Sequence, residues 1–262
     1  MGNLHIQVNP IDETSDNTSH TQTHTHKQLD GILKTSSTKK FALGIIDPQN
    51  DFFKKGSLAV SEADEILGPI NKLRYICKNI LTFVSQDYHP SNHMSFAETH
   101  GQKICTKKQL TLTMENNDIV VVEQDMWPTH CVGGTPGSEF HKNIIINPTD
   151  KIVKKGTKAN VESYSAFGDE NNAIYENTGL DVWLKSFGTT DIVLVGVATD
   201  YCVYNTALDS VKLGYNTHLI LSCTRGVTSE TTKKALADLK EKKVQIYSEV
   251  DDFYKLNQTH LI

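Results

Sequence analysis

Four short apolar runs in this chain each close on an acidic residue: FALGIID (41–47), ILTFVSQD (80–87), NDIVVVEQD (117–125) and TDIVLVGVATD (190–200). Segments with helical spacing lie between and after them. In EILGPINKLRYICKN the apolar residues Ile66, Ile70, Leu73 and Cys77 recur every three or four positions. TALDSVKLGY reads as a second helix, closed by Gly214. SETTKKALADLKEK reads as a third, with Ser229 as its expected N-cap. NTHLILS and VQIYSE add two further strands. Apolar runs of strand length that alternate with helices indicate a parallel sheet covered on both faces. The expected fold is therefore α/β, three layers (α/β/α) around a mostly parallel sheet of roughly six strands. Such sheets bind their ligands at the carboxyl ends of the strands. Those ends are where Asp47, Asp87 and the segment ATDYC fall.

The alternation occupies residues 40–262, one domain. Residues 1–39 have a different texture: ETSDNTSHTQTHTHKQ has almost nothing to bury, so a disordered polar tail is expected there. Between 133 and 180 the pattern weakens to at most two short strands, a loop and a helix near Asp181. That region reads as an insertion over the site. The five cysteines are odd in number and form no CxxC pair, which favours a reducing compartment over a disulfide framework. The N-terminus lacks the apolar core of a secretory signal, and no apolar run is long enough to span a bilayer. The expected location is cytoplasmic, with a nuclear pool left open, and not secreted or membrane-bound. A net charge of −5 argues against a nucleic-acid partner, which needs a basic face.

The strand ends carry the chemistry. Asp87 and His89 are two positions apart, so in extended backbone their side chains share one side, and Pro90 stops the strand. Alone, such a pair is more often a hydrogen-bonded turn than a metal edge. His130, in the Gly- and Pro-rich loop WPTHCVGGTPGSEF, follows the next expected strand, and adjacent parallel strands would bring the two loops together. Asp87, His89 and His130 then form a three-ligand site with open positions, the catalytic kind. The mixed carboxylate and imidazole set suits one divalent cation, Zn2+ before Fe2+ or Mn2+. His93 is expected behind the ligands or at the surface, and Cys131 is expected to point away. Cys202 stands where a strand turns into a helix, and exposed amides there favour a thiolate and can hold an oxyanion. A cysteine nucleophile needs a base and a cation. Asp47 and Lys155 are candidates, although a turn cap and a solvated lysine are their ordinary readings.

The stretches DPQNDF (47–52), DYHPSNHMSF (87–96), MWPTHCVGGTPGSEF (126–140), KKG (154–156), YSAF (164–167) and VGVATDYCVYNTALD (195–209) occur in this order. Together they resemble the nicotinamidases of the isochorismatase-like hydrolase superfamily, over about residues 41 to 250. The resemblance implies a Rossmann-like topology and a catalytic set of Asp47, Lys155 (over Lys154) and Cys202. It implies a metal on Asp87, His89 and His130, and a cis Val197–Ala198 peptide with the Ala198 and Cys202 amides as oxyanion hole. Phe52, Trp127, Tyr164 and Tyr201 match its ring pocket. Many relatives carry Trp at the position of Tyr88 and Met at that of Pro48, and neither change removes a functional group. The implied activity is hydrolysis of nicotinamide to nicotinate and ammonia through a cysteine thioester, in NAD salvage, with Lys155 and the helix N-terminus lowering the thiol pKa. A related amidase acting on another small amide or ureido substrate, and a non-catalytic binding relative, stay as alternatives. A homo-oligomer is left open.

Overall fold

In this computed structural model, which describes residues 39–113, 117, 119–169 and 176–261, the elements follow the chain in this order. They are β1 (Phe41–Ile46), α1 (Leu67–Ile76), β2 (Leu81–Asp87), β3 (Thr106–Thr113), β4 (Ile119–Met126), β5 (Lys151–Lys155), β6 (Gly168–Asp169), β7 (Glu176–Asn177), α2 (Leu180–Ser186), β8 (Asp191–Val197), α3 (Cys202–Lys212), β9 (Asn216–Arg225), α4 (Ser229–Glu241), β10 (Gln245–Tyr247) and α5 (Val250–Asn257). Six strands form one sheet in the order β10-β9-β8-β1-β2-β5, every neighbouring pair parallel. The two central strands, β1 and β8, are buried along their whole length, which is why their sequences are continuously apolar.

Successive residues of β1 face opposite layers, as the two-residue period of a strand requires. Leu43 and Ile45 pack with Ile70 and Leu73 of α1 and Phe253 of α5. Ala42 and Ile46 pack with Leu184 of α2, Val203 and Ala207 of α3, and Leu239 of α4. The expected α/β/α layering is what the chain adopts. The strand order runs outward in both directions from β1 and β8, so the crevice at their carboxyl ends is the natural ligand site.

Three sequence expectations need correction. The run 117–125 is not a strand of the main sheet. It forms β4, which pairs antiparallel with β3 from Thr106↔Met126 to Thr113↔Ile119. Its alternation is that of a ribbon with one wet face: Ile119 and Val121 are 70% and 61% exposed. The partner, TKKQLTLT, is too polar to signal a strand by apolar content. The sixth strand is instead β5, from the region read as an insertion, and it pairs with β2 from Phe83↔Lys151 to Asp87↔Lys155. Second, the N-cap of α4 is Thr228, not Ser229. Thr228 is extended and its side chain accepts the amide of Thr231. Third, α5 follows the last expected strand and closes over the α1 side of the core. Its first turn is held by a capping box between Glu249 and Asp252. The described residues belong to one compact unit. The expected tail, 1–39, lies outside them except for Lys39, whose ammonium donates to Asn257 Oδ1 at 3.1 Å.

Candidate active site

Four neighbouring strand ends supply the buried charges. Asp47 follows β1, Asp87 ends β2, Lys155 ends β5, and Cys202 opens α3 after the turn beyond β8. The β2–β5 register sets Asp87 beside Lys155. Strand alternation then decides between the two lysines: Lys155 points inward and is fully buried, while Lys154 is exposed, its ammonium 3.6 Å from the centre of the Tyr88 ring. The Lys155 ammonium pairs with Asp87 Oδ1, lies 3.0 Å from Asp47 Oδ2, and donates to the Ser163 carbonyl at 3.3 Å and to Cys202 Sγ at 3.4 Å. Ser85 Oγ donates to Asp47 Oδ1 at 2.6 Å. Asp47 Oδ2 is held by the Lys155 ammonium, with the Cys202 thiol beside the same carboxylate, and the reactive atoms of Asp47, Asp87 and Cys202 lie within 4.8 Å of one another.

Burial, partly offset by Lys155, raises Asp47 above the usual carboxylate range. Asp87 is equally buried, but Lys155 and the imidazoles of His89 and His130 hold it below that range. Lys155 loses solvation too, yet Asp47 and Asp87 keep it firmly charged. The expected lowering of the Cys202 thiol is not the net result. Lys155 pulls it down, but burial and the two carboxylates outweigh that pull and push it well above the usual thiol value. The resting cluster thus holds a neutral thiol beside a carboxylate that takes protons readily. The Val197–Ala198 peptide is cis. In the following turn the Ala198 carbonyl accepts from Tyr201 and Val203. Neither the Ala198 nor the Cys202 amide donates to a backbone carbonyl among the described residues.

Asp87, His89 and His130 come together, though not by the expected route. The loop after β4 is joined to the loop after β2 by isolated parallel bridges, His89↔Val132 and Phe96↔Trp127. His89 Nδ1 faces the Gly156 carbonyl at 2.9 Å, and His130 Nδ1 faces the Pro128 carbonyl at 2.8 Å. Each ring therefore donates from Nδ1 and turns Nε2 inward, 3.5 Å and 3.9 Å from Asp87 Oδ2. Anchored imidazoles aiming two lone pairs at one carboxylate are the donor set a divalent cation requires. Burial, and then the neighbouring His89, push His130 down to about 4, which keeps its lone pair available at neutral pH. Gly156 must be glycine: its φ is +61°, and a Cβ there would lie 2.4 Å from the His89 ring. His93 is buried and stacks on His89 with centroids 4.1 Å apart. Cys131 is buried in the core, with its thiol toward the Gly137 carbonyl.

Between the cysteine and the imidazoles lies a narrow cleft lined by Phe52, Trp127, Tyr164 and Tyr201 together with Asp87, His89, His130, Ala198 and Cys202. Trp127 and Tyr201 meet edge to face at 4.8 Å, and Trp127 Nε1 donates to Tyr164 OH at 3.0 Å. Leu58, Val60, Val227 and Glu162 complete the wall and were not anticipated. Glu162 is buried, and burial pushes its carboxyl up to about 6. It sits in a segment without periodicity, so no local pattern marks it. The Gly- and Pro-rich loop that carries His130 is pinned from outside the cleft: Asp51 Oδ2 accepts the Cys131 amide at 2.7 Å. Gly137 packs so closely on that carboxylate that a Cβ would come within 2.1 Å.

Comparison with known proteins gives a consistent result. Residues 41–250 match the isochorismatase domain. The chain is 37% identical over 198 residues to a nicotinamidase of Escherichia coli, covering 75% of this chain and 88% of the relative. Among solved structures, the yeast nicotinamidase bound to the inhibitor nicotinaldehyde is 32% identical with a TM-score of 0.74, over 80% of this chain and all of that one. The pyrazinamidase of Pyrococcus horikoshii in complex with zinc is 31% identical with a TM-score of 0.63, over 80% and 99%.

Proposed function

Because the chain belongs to the isochorismatase family, we infer that it hydrolyses nicotinamide to nicotinate and ammonia, the chemistry of NAD salvage. The observation that carries this reading is one cleft with a lysine-bridged carboxylate and thiol at one end and two converging imidazoles at the other, walled by aromatic rings. A flat aromatic amide fits between those walls.

Asp47 Oδ2 takes the thiol proton as Cys202 Sγ attacks the carboxamide carbon. The amides of Ala198 and Cys202 donate to the oxyanion that forms. Asp47 returns its proton to the departing nitrogen, the C–N bond breaks, and ammonia leaves a thioester on Cys202. Water then attacks the thioester with Asp47 again accepting the proton, the C–S bond breaks, and the thiol re-forms with nicotinate as product. Lys155 does not exchange its proton; it steadies the negative charge as that charge moves between Asp47 and sulfur. Asp87, His89 and His130 would hold one divalent cation, which supplies a Lewis-acidic point for a ring nitrogen or a water. Zinc is favoured by the mixed donor set and by the zinc complex of a relative.

A cytoplasmic location is the reading favoured by five unpaired cysteines. No helix among the described residues is long and apolar enough to cross a membrane. The decisive test is ammonia release from nicotinamide by purified protein of measured metal content. Metal-replete protein that releases none overturns the assignment.

A further inference from the structure

The turn that carries the Ala198 and Cys202 amides must hold two N–H groups in one direction, yet residues 198–201 belong to no helix or strand. Two residues tie it to the loop between β9 and α4. The Thr199 amide donates to the Arg225 carbonyl at 2.9 Å. Asp200, buried and midway between the two amides in sequence, takes three donors. Its Oδ1 accepts the Val227 amide at 2.9 Å, and its Oδ2 accepts the Thr228 amide at 3.3 Å and the Thr231 hydroxyl. Thr228 is the N-cap of α4, and Val227 is part of the cleft wall. The loop packs onto this carboxylate without slack: a Cβ on Gly226 would lie 3.0 Å from Asp200 Oδ1.

Hydrogen bonds to a carboxylate are charge-assisted and directional. Oxyanion donors act only when aimed at where the charge develops, and a misplacement on the order of 1 Å costs about 10²-fold in rate. Asp200 does not line the cleft itself, whereas Ala198, Tyr201, Cys202 and Val227 do. Resting on the hydrolase reading above, we propose that Asp200 is a positioning residue. Its carboxylate locks the 198–202 turn to the Val227 loop and so aims the Ala198 and Cys202 amides at the oxyanion, without touching substrate.

Nicotinamide hydrolysis by the full-length, metal-replete protein, measured with two inhibitors, tests this. Pyridine-3-carboxaldehyde offers a carbonyl to Cys202: the C–S bond forms, the C=O π bond opens, the thiol proton passes to Asp47, and the oxygen takes the oxyanion's place. The ring of 3-methylpyridine has no such oxygen and reports ring binding alone. Asp200→Ala should lower kcat about 10- to 100-fold and raise the aldehyde's inhibition constant by about as much. KM and the 3-methylpyridine constant should shift by less than about threefold. Asp200→Asn keeps an oxygen for the Val227 amide and should recover kcat to within about fivefold of wild type. A merely structural role lowers the folded fraction and moves neither inhibition constant. That outcome, or equal weakening of both inhibitors, overturns the proposal. If Asp200→Ala fails to fold, Asp200→Asn decides, by whether its aldehyde constant rises more than its 3-methylpyridine constant. Wild-type protein that releases no ammonia sinks the hydrolase reading and this inference with it. An active wild type with unaltered variants sinks this inference alone.

Discussion

Asp47 and Asp87 lie side by side against the same Lys155 ammonium and are driven in opposite directions. Both are buried. Around Asp47, burial outweighs Lys155, the Asp87 carboxylate adds to the rise, and the Ser85 hydroxyl and Cys202 thiol offset only part of it, so its proton affinity rises. Asp87 faces two imidazole edges as well, so it stays ionised. Two carboxylates whose environments push them apart suit different work, and in the proposed reaction one moves protons while the other would hold a cation. The difference lies in the remaining neighbours, not in depth or in the shared lysine.

The most severe way to break this contrast is to remove the atom that exchanges protons with Asp47. Cys202→Ala should lower turnover by at least about 10⁴-fold while leaving the metal content unchanged, because sulfur belongs to one end of the cleft only. Ammonia release and metal analysis on the same sample check it; substantial hydrolysis by the variant would hand the reaction to another nucleophile.

Asp47→Asn attacks the same end one step back and should cost about 10²–10⁴-fold in kcat, again with metal retained. If metal is lost with it, the two ends are not separable.

His130→Ala should do the reverse. It removes one of two converging lone pairs, so metal affinity should fall at least about 100-fold, and KM should rise with it. Cys131→Ser, next door but facing the core, should keep its metal. Full metal occupancy in the His130 variant would sink the ligand assignment.

Ser85→Ala sharpens the comparison more gently. The Ser85 hydroxyl lowers the Asp47 pKa by stabilising the carboxylate. Removing it raises that pKa, and the base must be deprotonated to act, so the acidic limb of kcat/KM should move to higher pH. A loss on the order of tenfold at neutral pH is expected. An acidic limb that moves down, or stays in place, would show that Asp47 is not the group titrating there. The smallest effect expected is from removing residues 1–38, a stretch too polar to contribute to a core. Turnover should remain within about twofold, and a larger loss at equal metal content would give that segment a part in the chemistry.

The sequence by itself determined the layered α/β class, because central strands buried on both faces must be continuously apolar and helices must be periodic. FALGII and DIVLVGV are wholly buried, and so are Ile70 and Leu73 of α1 with Ile66 and Cys77 flanking its two ends. It also put Asp87 and His89 on one side, since a strand's period is local geometry. What it could not decide was which strand stands beside Asp87. NDIVVVEQD is more apolar than KIVKK, yet KIVKK joins the sheet, because an edge strand is judged by the partner it meets and not by its own hydropathy. That choice buries Lys155 between two carboxylates that precede it by 108 and 68 positions. Only the tertiary structure decided the rest: the opposed proton affinities of Asp47 and Asp87, the raised thiol of Cys202, the buried Glu162 and the grip of Asp200 on the loop before α4. Each depends on charges and burial acting through space between segments far apart in the chain, and local periodicity carries no record of such distances.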